Sequence, residues 1–244
     1  MNGMINVMRR ELTGYFATPV AYVFLIIFLV MTGIFAFYLG NFYQRGFADL
    51  EPFFRFHPWL YLFLVPAISM RLWAEERHAG TIELLFTLPL TTIQAVMGKF
   101  LAAWLFLGIA LVLTLPMWVT VNYLGNPDNG VILAAYVGSW LMAGGFLAIG
   151  SCMSALTRNQ VVAFILSIVV CFLFLLSGLP MVMNLFNSWA PQIVLDGIAN
   201  LSFLKHFADI SKGVIDLRDL VYFALVIGFW LLANVLILDM KKAD

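Results

Sequence analysis

Residues 161–183 read VVAFILSIVVCFLFLLSGLPMVM, a run with no charged side chain. A helix needs about 20 mostly apolar residues to cross the hydrocarbon core of a bilayer, and this segment has them. Gly178 and Pro180 interrupt only its far end. Working outward, the run sits inside a charge-free stretch from Asn159 to Leu195. Five more stretches are equally bare: Leu12–Gln44, Phe56–Met70, Phe100–Pro127, Asn129–Thr157 and Leu220–Leu238. Over all 244 residues 63% are hydrophobic and 11% charged, against about 25% charged in a soluble domain. So much apolar surface cannot be hidden in one soluble core. The chain is an all-α polytopic membrane protein, with six transmembrane helices predicted at 20–42, 57–74, 96–122, 131–156, 160–183 and 219–239 in a single domain, 1–244.

Six spans put both termini on one side. With the termini inside, the inner segments carry Arg9, Arg10, Arg71, Arg77, Lys99, Arg158, Lys241 and Lys242, and the outer ones Arg45, Arg55, Lys205, Lys212 and Arg218. That excess of inner cations predicts cytoplasmic termini. The first apolar run is too long for a signal peptide and lacks a small-x-small cleavage site, so it reads as a retained span. The formal net charge is zero and no basic cluster exceeds two residues, which leaves nucleic-acid binding without electrostatic support. Cys152 and Cys171 both fall in apolar runs, so neither a disulfide framework nor a metal site is expected.

Three segments outside the spans are long enough to fold. In 3–18, Met4, Met8, Leu12 and Tyr15 share a helical face, away from Arg9, Arg10 and Glu11, and Pro19 ends the run; this predicts an amphipathic helix on the inner surface. In the inner loop 74–98, Gly80 signals a turn, Thr81 is placed to cap a helix and Glu83 suits its first turn. Ile82, Leu85 and Phe86 then form one apolar face before Pro89. By pattern alone that face can meet lipid or a partner. The outer segment 184–219, with Trp189, Pro191, Phe203 and Phe207, predicts one or two short helices packed on the spans.

Catalytic groupings are scarce. Gly98-Lys99 is followed by Phe100 and has Ile93 where a phosphate loop needs its first glycine. His57, His78 and His206 stand in three separate loops, and Ser139, Ser151 and Ser154 have no histidine on a neighbouring span. No carboxylate lies mid-span, which argues against an ion-coupled carrier or channel. Asn122 and Asn234 read as interhelical hydrogen-bonding residues. On the fourth span Gly144, Ala148, Ser151 and Ala155 make a small-residue stripe for close helix packing.

Residues 73–99, WAEERHAGTIELLFTLPLTTIQAVMGK, resemble the first cytoplasmic loop of ABC-2 type transporter permeases: an acidic pair, Gly-Thr, Glu-Leu-Leu, a proline, and Gly-Lys opening the third span. Residues 201–223, LSFLKHFADISKGVIDLRDLVYF, are similar to the same region of the gliding-motility and nitrous-oxide-maturation (Gld/Nos-like) branch. The resemblance implies a type V ABC exporter-like architecture in a bacterial inner membrane. It makes 3–18 a connecting helix, 82–88 a coupling helix seated on a separate cytoplasmic ABC ATPase, and 184–219 outer re-entrant helices. ATPase coupling then falls to Glu75, Glu76, Gly80, Thr81, Ile82, Glu83, Leu84, Leu85 and Phe86. The resemblance also implies a second permease copy or related membrane subunit, and an accessory subunit with a large extracytoplasmic domain. No cofactor is expected on this chain; ATP and Mg would belong to the ATPase. Two functions follow: export of a hydrophobic or amphipathic substrate, or ATP-driven mechanotransmission to an outer partner without transport.

Overall fold

The computed structural model describes residues 2–82, 90–186 and 191–241, and all regular structure among them is helical. Helix α1 (Asn2–Ala17) gives way at Thr18 to α2 (Pro19–Ile34). Pro19 suits the first turn because its missing N–H would have no partner there. The last turn of this helix widens into a π-turn, Phe35–Leu39. Three short elements follow, α3 (Glu51–Arg55), α4 (His57–Ser69) and α5 (Arg71–His78). Then come α6 (Thr92–Val112) and α7 (Leu115–Leu124), bent at Leu113 and Thr114 before Pro116. Beyond them lie α8 (Asn129–Leu156) and α9 (Gln160–Leu176), both capped by side chains, from Asp128 and Asn159. The region predicted to lie outside holds α10 (Pro180–Phe186), α11 (Gln192–Asn200) and α12 (Phe203–Ser211), and α13 (Leu217–Met240) closes the described chain.

Among the described residues, four helical segments are long and apolar enough to cross a membrane: Pro19–Leu39, Thr92–Leu124, Asn129–Leu156 and Leu217–Met240. The other two predicted spans are shorter. The 57–74 run divides into α4 and α5 at Met70, whose N–H reaches back to the Pro66 carbonyl. The 160–183 run yields the 17 residues of α9 before the turn at Ser177–Leu179.

Helix α8 is the spine of the bundle. Within its apolar window 78% of residues are buried, against 17% for α13 and 33% for the first span. Small residues let neighbours close on it. A Cβ on Gly138 would lie 2.7 Å from Ile210 of α12, and one on Gly144 would lie 2.8 Å from the Trp104 indole of α6. Trp104 and Trp140 stack at 4.2 Å, and each indole N–H donates to the other's carbonyl, at 2.9 and 3.2 Å. Helix α12 buries Phe203, Phe207 and Ile210, whereas α11 has no buried residue. The outer faces of α2, α9 and α13 are strongly apolar, with Ile26, Val161 and Leu225 all more than 60% exposed.

Candidate functional site: a buried charge cluster between three helices

The inner end, which charge bias predicts to face the cytoplasm, holds α1, the end of α5 and the start of α6. Helix α1 leans along the inner half of α6. Met4, Met8, Leu12 and Tyr15 are half-buried and Val7 is buried, while Arg9 and Arg10 face outward. Gly98 permits the approach, since a Cβ there would lie 2.8 Å from Val7. Tyr15 stacks on Phe106 at 5.2 Å.

This packing covers Lys99, only 2% exposed. Its ammonium is compensated by two carboxylates from different helices: Nζ lies 2.8 Å from Glu76 Oε1 of α5 and 3.1 Å from Glu11 Oε1 of α1. The Trp73 ring adds a cation–π contact at 5.3 Å, and Arg10 completes the cluster with Nη2 2.7 Å from Glu11 and 3.9 Å from Glu76. Burial pushes the Glu11 carboxyl upward, but Lys99 and Arg10 outweigh it and hold the group below its ordinary 4.5. Lys99 therefore joins three helices at one point.

Helix α5 is also stapled to the spine. The Trp73 indole N–H donates to Ser151 Oγ at 3.2 Å. The backbone N–H groups of Trp73 and Ala74 donate to Ser154 Oγ at 3.1 and 3.0 Å, and that hydroxyl donates to the Met70 carbonyl at 2.8 Å. Ser151 accepts a further bond, from Asn234 Nδ2 of α13 at 2.7 Å. Thr92 of α6 donates to Asp239 at 2.5 Å, and Lys241 Nζ donates to the Ala155 and Leu156 carbonyls that end α8. The inner ends of α5, α6, α8 and α13 thus form one bonded unit.

The predicted coupling residues divide. Glu76 enters the Lys99 cluster, whereas Glu75 faces outward and pairs with Arg71 at 3.4 Å. Gly80 has a φ of 69°, the left-handed geometry that ends α5. Thr81 bonds back to the Glu76 carbonyl through both its N–H and its hydroxyl, and Ile82 packs on the core. Glu83, Leu84, Leu85 and Phe86 lie outside the described residues. Gly144, Ala148, Ser151 and Ala155 are all buried on α8.

Sequence reasoning counted Lys99 among the inner cations, at the opening of the third span, and did not connect it to Glu11, Glu76 or Trp73. The available signal was a lysine inside an otherwise apolar helix, which a membrane protein tolerates only with partners. A second buried group was also missed: His206 places Nδ1 2.5 Å from Asp219 and Nε2 3.0 Å from the Asn200 carbonyl, with the Tyr222 ring stacked at 3.8 Å. It ties α12 to α13 at the opposite end. Among the described residues, no group of three or more His, Cys, Asp or Glu side chains could hold a metal ion.

The inner junction offers rigid mechanical connection around the segment that follows α5. A family model for ABC-2 family transporter proteins matches residues 59–219, from α4 to the first turn of α13. No curated protein matches the chain. The match takes in well over half of the chain, including the α5–α6 junction and the spine. This multi-pass helical chain therefore belongs to the ABC-2 transporter family, as a permease component that works with an ABC ATPase subunit.

Proposed function

We propose that the chain couples ATP hydrolysis in a separate cytoplasmic ATPase to outward movement of a hydrophobic or amphipathic substrate. In this reading α4–α5 and α9 complete a six-helix, type V-like bundle with both termini in the cytoplasm of a bacterium, and two permease subunits pair. The segment 82–88 is the coupling helix and Gly80 is its turn. The observation that carries the proposal is the Lys99 cluster. A push on the coupling segment reaches Glu76 directly, and Lys99 hands it to α6 and α1. Trp73 passes the same push through Ser151 to α8 and α13. Interfaces of this kind switch between discrete packings rather than deforming smoothly.

A second reading, mechanotransmission to an outer partner as in a Gld/Nos-like assembly, draws on the continuity of α8. The same helix holds α5 at its inner end and α12 at its outer end, so displacement can cross the membrane without a substrate path.

Mild-detergent purification of the tagged chain from its host tests the coupling. An ATP-hydrolysing partner should co-purify, and Leu85→Asp should lose it while the permease still inserts. A partner-free oligomer, or normal association of the variant, would overturn the proposal. With coupling established, ATP-dependent lipid or peptide movement in proteoliposomes separates export from transmission.

A further inference from the structure

A cavity of about 670 Å³ opens at the end of the bundle opposite the Lys99 cluster, between α3, the start of α8 and α12. Its size lies within the range of small-molecule sites, about 300–1,000 Å³. Its floor is apolar, formed by Phe54, Val131, Ile132, Ala135, Leu204 and Phe207. Five charged side chains line it, and their circumstances differ by sign.

The acids are already engaged. Asp49 and Glu51 pair with Arg45, at 3.6 and 2.7 Å, and Asp128 caps α8 by accepting from the Gly130 and Val131 N–H groups. The two cations lining the cavity, Arg55 and Lys212, are exposed, and their side chains have no hydrogen-bond or ion-pair partner among the described residues. With Arg45 the charges here balance, three acids against three cations, but the two cations without partners stand beside an apolar chamber, which fits an amphiphile whose negative head bridges Arg55 and Lys212. The level in the membrane fits as well. Tyr38, Tyr43 and Tyr123, at 84%, 69% and 90% exposure, stand at the same end of the bundle, and such aromatic side chains collect at headgroup depth.

We infer that this cavity binds an anionic amphiphile, its phosphate or carboxylate head held by Arg55 and Lys212 and its acyl chain laid on Phe54, Val131, Ile132 and Phe207. The inference goes beyond the permease reading and holds whether or not ATP is coupled. The bound molecule would sit against both α12 and α8, the outer elements that any inward-to-outward motion must shift.

The test uses the full chain in phosphatidylcholine nanodiscs, with palmitoyl lysophosphatidylglycerol as the probe, read by native mass spectrometry and by titration. Saturable binding of one lipid per chain is expected. Lysophosphatidylcholine should bind about tenfold more weakly, and the double variant Arg55→Gln/Lys212→Gln should lose a similar factor, as expected for charge-assisted contacts. Both substituted side chains are exposed, so the variant keeps its fold. Ala208→Trp, which fills the chamber from α12, should abolish binding. Inorganic phosphate alone should not displace the lipid. Equal affinity for the two lysolipids, an unchanged double variant, displacement by phosphate alone, or no lysolipid bound would each overturn the inference.

Discussion

Lys99 can stay buried only while both of its carboxylate partners remain, because a lone charge at that depth is far costlier than a satisfied pair. Lys99→Met removes the cation and leaves Glu11 and Glu76 facing each other. The expected loss is about 3 kcal/mol, visible as a lower thermal midpoint in detergent. The same cluster sets a pH response. The folded-state pKa of Glu11 is depressed, so its contribution is full above the unfolded value of about 4.5 and disappears as pH falls through the lower folded value. Thermal scans from about pH 7 down to about pH 3.5 should show a drop in wild type that Glu11→Gln flattens. Little of this cluster was legible in the sequence. Glu11 and Lys99 lie 88 positions apart, and nothing in the pattern of apolar residues around either one specifies the other.

The spine α8 works through residues too small or too polar to look important in isolation. Ser139, Ser151 and Ser154 are each fully buried, and each binds a neighbouring element: Tyr61 of α4 at 2.8 Å, Trp73 and Asn234, and the backbone of α5. Ser154→Ala should cost about 1–3 kcal/mol, because two N–H groups and a carbonyl lose a shared partner; Ser154→Thr tests whether the hydroxyl alone suffices. At the outer end, Gly138→Leu drives a side chain into Ile210. Overpacking of this kind costs about 1–3 kcal/mol, and here it should release α12, seen as faster proteolysis across 191–216 with the spans intact. The stripe of Gly144, Ala148, Ser151 and Ala155 was readable from helical spacing. The docking of α12 was not, because the amphipathic pattern of Phe203, Phe207 and Ile210 marks an apolar face without naming what covers it.

Across the whole molecule, the charge-free runs made the membrane class and the helical content legible, and the loop at 73–99 made the ABC-2 family legible. Span lengths were less readable. Apolar residues continue past Leu176, but the helix ends there, just ahead of Gly178 and Pro180; at Met70 the backbone stays helical, and a single residue parts α4 from α5. The orientation is directly testable, since Cys152 and Cys171 are both buried and unpaired. A membrane-impermeant maleimide applied outside intact cells should label Tyr123→Cys and leave Lys241→Cys untouched; the reverse would invert the topology.

The widened turn at Phe35–Leu39 carries one residue more than an α-helical turn of the same rise would need. Excising any one of those five residues would let the helix heal into an unbroken α-ladder at little local cost. Everything attached beyond it would keep its direction, because four α residues turn about as far as the five residues they replace. The same excision between Pro19 and Ile34 has no such slack: it would swing the rest of the span by about 100° and carry Phe42, now sealed against the core, toward lipid. The wide turn is thus a reserve of chain length, the place where this helix can lose a residue and keep its register.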